Sequence, residues 1–563
     1  MKILLVYPMY PDTFWSFRHA LPFIGKKAVF PPLGLLTVAA MLPAHWEIKL
    51  IDLNIDPVSD AELLWADYVF ISAMTVQRES VQEVLKRCRN LRVKTVGGGP
   101  LFTSCHDEFP EVDHLVLGEA EVTLPQFLAD MEKGKPQRRY LAADRRPDLA
   151  STPLPRWELI HMRHYASMNI QYSRGCPYDC EFCDITQLFG RKPRTKTTAQ
   201  VIAELEALYL RGWRGGVFFV DDNFIGDKRK LKKEVLPAII SWMQKRHNPF
   251  FFYTEASIDL ADDPLLMELM VAAGFQEVFI GIESPEEDSL RETGKIQNRN
   301  RDLVASVRNI HRAGLQVQAG FIVGFDSDSP AIFDVQLRFI QESGIMTAMV
   351  GILMVLRGTK LHARLSKEGR ILSSSNGNNT DISLNYIPLM APHLLIDGYQ
   401  RLIKTIYSPD HFYARLMTFL KEYRPSGPSL FGMLQMRDIR AFFHSIFFLG
   451  ILGKERLHYW KVFFWSLLRK PRLLPLAITM AIYGFHFRTI AEQICASPSH
   501  EVTTAAVEGK SQLPNILSTV PRESKQPPRY LTDGTSPDSG LLPTARMRIP
   551  TPHITEKEQR SQT

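Results

Sequence analysis

Three cysteines share one short run, Tyr172-Ser-Arg-Gly-Cys176-Pro-Tyr-Asp-Cys180-Glu-Phe-Cys183. A C-x3-C-x2-C loop just after an expected strand can give three thiolate corners to an iron–sulfur cube, because soft sulfur suits iron. A four-iron cube held this way keeps one iron open to a small molecule, for which a pure electron carrier has no use. Structural zinc is the rival, but it wants four ligands, usually from two separated C-x2-C pairs. The chain has no second pair: Cys88, Cys105 and Cys495 are scattered. Six cysteines in 563 residues make no disulfide framework. Thiolates that hold iron must stay reduced, so a cytoplasmic compartment is expected.

Such a loop needs elements to hold it. From residue 169 onward apolar runs alternate with helical periodicity, predicting strands at 169–173, 216–220, 250–255, 277–282, 316–323 and 347–353. Helices are expected between them at 198–210, 230–245, 264–273, 301–313 and 331–342. Six strands with five helices suggest a partial (β/α)6 barrel over 169–360, with its active site at the carboxyl face. The strand ends are polar where that face needs them: Asp221-Asp222-Asn223, Glu255-Ala-Ser257, Glu283-Ser284, and the Gly320 to Gly324 strand running into Asp326. One acidic residue after a strand is usually a helix cap or solvated turn. Several such ends in register with a cysteine loop are harder to obtain by chance. Arg174, Lys192 and Arg194 bracket the loop, either as counter-charges to a bound group or as solvated loop residues.

Residues 1–133 repeat the alternation with strands near 3–7, 48–53, 68–72, 93–96 and 114–117, and a clear helix over 78–91. This predicts an α/β, doubly wound, flavodoxin-like (Rossmann-like) domain whose ligand site lies beyond the carboxyl ends of the strands. Ser72 and the Gly97-Gly98-Gly99-Pro100 turn fall there, the glycines allowing close backbone approach to a bulky ligand. Several prolines and charges mark 134–168 as a linker. Residues 361–496 read as a mostly helical region, with an amphipathic helix over 399–423 and apolar stretches at 441–453 and 473–487. Both apolar stretches are expected to fall short of a membrane span. Bases between them leave two readings, helices packed on the barrel or a peripheral contact with acidic lipid. From 497 to 563 the composition predicts disorder. A net charge of +7 without basic runs interleaved with aromatics predicts no nucleic-acid partner.

The cysteine spacing, with Phe182 immediately before the last cysteine, resembles the radical S-adenosylmethionine (SAM) superfamily. That resemblance implies a [4Fe–4S] cluster on Cys176, Cys180 and Cys183. Its open iron chelates SAM, and an electron from a low-potential donor cleaves the sulfonium to a 5'-deoxyadenosyl radical. By motif, Asp221 or Asp222 resembles the group that receives the SAM ammonium, and Glu255, Ser257 and Glu283 resemble ribose ligands. Gly320 and Gly324 with Phe182 resemble the adenine wall. A flavodoxin-like domain before the barrel looks like a cobalamin-binding arrangement, with Ser72 and Gly97-Gly98 flanking the corrinoid tail. That family's D-x-H-x-x-G element is not matched: the region reads Gly25-Lys-Lys-Ala-Val-Phe-Pro-Pro-Leu-Gly34, so no histidine from the usual motif is available as a lower cobalt ligand. His19, His106 and His114 are expected to be surface or packed residues.

The whole order resembles the cobalamin-dependent radical SAM family, among them hopanoid C-2 methylases and anaerobic magnesium-protoporphyrin ester cyclases. It implies a methyltransferase acting on an unactivated carbon of a small, apolar or lipid-like substrate. An oxidative cyclase or oxidoreductase using the same cofactors is the alternative. A tRNA methylthiotransferase would need further cluster cysteines in the first domain, and a non-catalytic cobalamin or redox sensor would not cleave SAM.

Overall fold

Short runs of Val, Ile and Leu bounded by turns become the strands of two parallel sheets. The structure, a computed structural model, describes residues 1–142, 145–425 and 436–496. The first sheet holds β1 (Lys2–Tyr7), β2 (Glu47–Asp52), β3 (Tyr68–Ser72), β4 (Lys94–Gly98), β5 (His114–Leu117) and β6 (Arg139–Leu141), in the order β2-β1-β3-β4-β5-β6. The 2-1-3-4-5 part is the flavodoxin-like winding, as expected. Residues 3–6 are buried on both faces, as a parallel strand under two helix layers must be. Leu4 and Val6 join a core with Leu63, Val81 and Phe102, while Ile3 and Leu5 join one with Leu35 and Phe127.

One strand was not expected. β6 falls inside 134–168, read as a linker, and pairs in parallel with β5 as the edge of the sheet. Three residues are too short to show a period; burial of Tyr140 against Phe127 decides the pairing.

The second sheet is β7 (Met168–Ile170), β10 (Gly215–Phe219), β11 (Phe250–Ala256), β12 (Phe275–Glu283), β13 (Gln316–Val323) and β14 (Ala348–Ile352), ordered β14-β13-β12-β11-β10-β7 and parallel throughout. These are the six expected strands. Between β7 and β10 a two-stranded antiparallel ribbon, β8 (Ser173–Arg174) with β9 (Arg194–Thr195), closes the cysteine loop at its base. Along β11 burial alternates: Phe250, Phe252 and Ala256 enter the core beneath the helices, and Phe251, Tyr253 and Glu255 face the barrel interior.

The loop after β1 crosses into that interior. Phe30 stacks on Phe218 at 5.2 Å and Phe218 on Tyr253 at 5.1 Å, while Trp15 lies 4.9 Å from Phe279. The first domain therefore supplies part of the barrel's lining.

The helix expected over 399–423 is two, Pro392–Ile406 and Pro409–Glu422. Pro409 cannot donate to the preceding turn and starts a new helix instead. Helices Met436–Ser445, Arg456–Arg469 and Leu474–Ala496 follow, the first continuing as a wide turn over Ile446–Leu452. The stretch Pro471–Ala496 is long and apolar enough to cross a membrane, contrary to the expectation for 473–487. Much of it is core: Ala477, Met480, Phe487 and Ile490 are buried, and the His486 ring nitrogen meets the Phe14 carbonyl at 3.1 Å. The tail 497–563 lies outside the described residues.

Candidate active site

The cysteine loop is pinned by its own backbone. Gly175 has φ +94°, and a side chain there would put Cβ 2.8 Å from the Gly190 carbonyl, so the Arg174-Gly175-Cys176 turn requires glycine. The Cys176 N–H donates to that carbonyl at 3.3 Å, and the Glu181 N–H to Thr293 at 2.8 Å. Arg364 braces the loop through Glu181 at 2.8 Å and also reaches Asp326 at 2.7 Å. Burial foremost raises all three thiol pKa values, and neighbouring thiols add to this for Cys176 and Cys183. Donors oppose it: the Tyr178 and Ile185 backbone groups at Cys176 and Cys183, the Asn223 amide 3.9 Å from Cys176 and the Gln297 amide 3.8 Å from Cys180. Among the described residues no three Cys, His, Asp or Glu side chains converge on a point for a single ion. Three neighbouring thiols met by amide and backbone donors are a ligand set that fits an iron–sulfur cube.

Beside the loop stands a wall of carboxylates. One oxygen of Asp221 accepts the Tyr172 N–H at 2.9 Å and the Ser173 N–H; the other is buried without a partner. Asp222 accepts the Gly175 N–H at 2.7 Å. Burial first, then mutual repulsion, pushes Asp221 up to about 8, and burial first, then the Asp222 and Asp221 charges, pushes Glu255 to about 8. Asp222 rises to about 6. The Glu255 carboxylate makes no hydrogen bond among the described residues. Such a wall is short of positive charge, and SAM, carrying an ammonium and a sulfonium, fits it. Ser257 accepts from Asn223 at 3.2 Å, on the side of Cys176.

Glu283 ends β12 with φ +61°, a strained conformation for a residue with a side chain, at a shift of register between β12 and β13. The bend turns its carboxylate onto Lys295, with which it forms a buried ion pair. Lys295 was not singled out in the sequence, since it lies on a loop beyond the strand. Burial works against its charge, yet Glu283, then Cys180, holds its pKa above the ordinary range. Its ammonium also sits 5.8 Å from the Phe182 ring centre. Gly281 makes room for the pair, because a Cβ there would meet both Glu283 and Lys295. Phe182 lies 6.1 Å from Phe325, just past Gly324. At Gly320 an added Cβ would press on Phe279, and at Gly324 (φ +102°) on the Tyr386 hydroxyl.

At the carboxyl edge of the first sheet Ser72 pairs in register with Gly98, and Ile71 with Gly97. Gly97 lets Phe102 and Leu115 approach the strand, and Gly99 (φ +85°) brings backbone against the Ser72 hydroxyl. Beside them the exposed Met9 and Met74 offer apolar surface. A hydroxyl, bare glycine backbone and apolar side chains at a topological switch point fit a broad corrinoid. The 25–34 region is directed elsewhere, with Phe30 in the barrel. His19 stands against His486, and the His114 ring meets the Gln137 carbonyl at 2.7 Å, so both are packed within the protein.

This edge faces the cysteine loop. A crevice between them is lined by Thr75, Ser104 and Cys105 on one side and by Asp184, Arg357 and Ser374 on the other. Arg174 and Arg194 are not solvated loop charges. Arg174 pairs with Glu119 and Glu121, each at 2.8 Å, and Arg194 with Glu119 at 2.8 Å, tying the loop to the first domain after β5. Lys192 is exposed.

Residues 27–128 match the B12 binding domain family, 170–336 the Radical SAM superfamily, and 359–500 a domain of unknown function, DUF4070. Fold and site thus define a radical SAM enzyme that uses a [4Fe–4S] cluster, SAM and cobalamin. The chain is similar to an uncharacterized methyltransferase, sll1242, of Synechocystis, with 41% identity over 86% of this chain and 91% of that one. It is also similar to hopanoid C-2 methylase of Rhodopseudomonas palustris, with 35% identity over 82% of this chain and 88% of that one. It belongs to the cobalamin-binding-domain radical SAM family, in its methyltransferase branch. The fold is shared with the cobalamin-dependent SAM radical enzyme OxsB solved with aqua-cobalamin (TM-score 0.55, 15% identity, 88% of this chain and 80% of that one).

Proposed function

We propose that this enzyme methylates an unactivated carbon of a small, apolar, lipid-like substrate held in the barrel, in the cytoplasm at a membrane surface. The observation that carries this reading is the lining of the barrel interior: Trp15 and Phe30 from the first domain meet Phe279, Phe218 and Tyr253 from the strands. Aromatic walls of this kind bury apolar surface and leave few polar groups to be matched by a substrate. The cofactors together supply hydrogen removal from carbon and a methyl group to replace it. The chain's own residues orient and exclude. Cys176, Cys180 and Cys183 are the cluster ligands, and Asn223 and Gln297 direct amide donors at Cys176 and Cys180.

The unpartnered Asp221 oxygen, with Asp222, receives the SAM ammonium; Glu255, Ser257 and Glu283 face the ribose, and Phe182 with the Gly320 to Gly324 strand flanks adenine. Ser72, Gly97 and Gly98 hold the corrinoid tail. The substrate class is also that of the methylase named above, which acts on hopanoids. The test is anaerobic turnover with SAM labelled in its methyl group and a polycyclic isoprenoid. Labelled product with S-adenosylhomocysteine is expected. Deoxyadenosine with unlabelled product would instead assign an oxidative cyclase, and no deoxyadenosine a sensor.

A further inference from the structure

The helices at 436–469 are apolar on two sides. One side packs inward: Leu449, Gly450, Tyr459, Val462 and Ser466 are buried, with the Tyr459 hydroxyl 2.9 Å from that of Ser445. The other faces out. Ten of the 21 exposed large apolar side chains among the described residues fall between Ile439 and Leu468, where Phe443 is 62%, Leu457 79% and Leu468 78% exposed. Singly scattered apolar residues need no explanation; a concentration such as this does. The patch is continuous, because rings run from Phe443 to Phe442 at 5.5 Å, to Phe463 at 6.2 Å and to Phe464 at 5.4 Å, joining the two helices.

Charge says what covers it. Residues 439–472 contain seven Lys or Arg and one acid, Glu455, which is buried and paired with Arg488 at 2.8 Å. Lys454, Arg456, Lys461, Arg469 and Arg472 are exposed and make no ion pair among the described residues. A second copy of the chain would bring like charges together. The tail 497–563 has eight Lys or Arg against seven acids and offers no complementary charge. An anionic lipid surface supplies both what the apolar side chains and what the bases want.

We propose that this face, 439–472, seats the enzyme in one leaflet of an acidic bilayer, lying in its plane. The inference deepens the lipid-like substrate reading and rests on it only for the route the substrate takes. Phe448 touches Phe23 at 5.8 Å and Phe23 touches Phe485 at 5.8 Å; eight residues before Phe23 in the chain, Trp15 meets Phe279 inside the barrel. One short segment thus joins the docking face to the barrel interior, and an apolar substrate enters from the bilayer side.

The test uses the full chain with its cofactors and vesicles of phosphatidylcholine, with or without about two-fifths phosphatidylglycerol. Co-sedimentation with the acidic vesicles alone, reversed by high salt, is expected. Leu457→Glu with Leu468→Glu should lower the bound fraction about ten-fold, and Lys454→Gln with Arg456→Gln and Lys461→Gln by a similar factor. Circular dichroism and deoxyadenosine formation should be unchanged in both. Absence of co-sedimentation, or binding that neither variant weakens, would overturn the proposal. So would a dimer, by light scattering, that Leu457→Glu with Leu468→Glu dissociates while vesicle binding persists. Lost docking with intact methyl transfer removes this inference alone; docking without transfer to a lipid-like substrate removes the substrate reading and leaves docking in place.

Discussion

Glu255→Gln should stabilise the SAM-free enzyme while weakening its hold on SAM. The native carboxyl titrates near 8 against an ordinary value of 4.5, because burial foremost, then Asp222 and Asp221, disfavours its charge. Between those values the native state keeps a proton that the unfolded chain has released. Stability is therefore full below about pH 4.5 and is lost as pH rises toward 8, at about 1.4 kcal/mol per pH unit. At pH 7 the loss amounts to about 3 kcal/mol. Glutamine does not titrate and recovers that amount, less about 1–2 kcal/mol for amide donors left without partners. A net gain of about 1–2 kcal/mol should raise Tm by a few degrees. The assay is anaerobic thermal unfolding of the cluster-loaded protein at pH 5 to 8, without and with SAM. The wild type should lose stability with pH more steeply than the variant and gain more from SAM. A variant with the wild-type pH slope, or one that gains as much from SAM, would refute the claim that Glu255 is a buried carboxyl facing bound SAM.

Arg174→Met leaves Glu119 and Glu121 buried with part of their counter-charge gone and should cost about 3–5 kcal/mol in denaturant unfolding, whereas Lys192→Ala should stay within about 0.5 kcal/mol. Lys295→Gln removes the buried cation beside Cys180, so an EPR-monitored titration should find the cluster harder to reduce, with a more negative midpoint. Equal potentials would separate Lys295 from the cluster. Gly175→Ala places Cβ against the Gly190 carbonyl in a left-handed conformation, costing at least about 1–2 kcal/mol locally. Iron bound per chain should fall, by colorimetric assay.

Much of the architecture was legible because it rests on short-range patterns. The cysteine spacing is a property of one loop, and the strands of both sheets announce themselves as apolar runs with helical periods between them. Asp221, Asp222, Glu255 and Glu283 could be singled out because each follows a strand whose end is visible. What that reading could not supply is partnership. Arg174 looks like any loop cation until folding brings Glu119 and Glu121 to it from more than fifty residues away. Lys295 acquires meaning only when the bend at Glu283 turns a carboxylate toward it, and β6 becomes a strand only beside β5. The loop after β1 gives no local sign that Trp15 and Phe30 will line another domain's barrel. A helix apolar on two sides, such as Arg456–Arg469, does not say which side meets protein; its packing against Leu474–Ala496 decides that, and so decides which side is left outward. Periodicity is set by neighbours along the chain, while charge partners, cavity walls and exposed faces are set by neighbours in space.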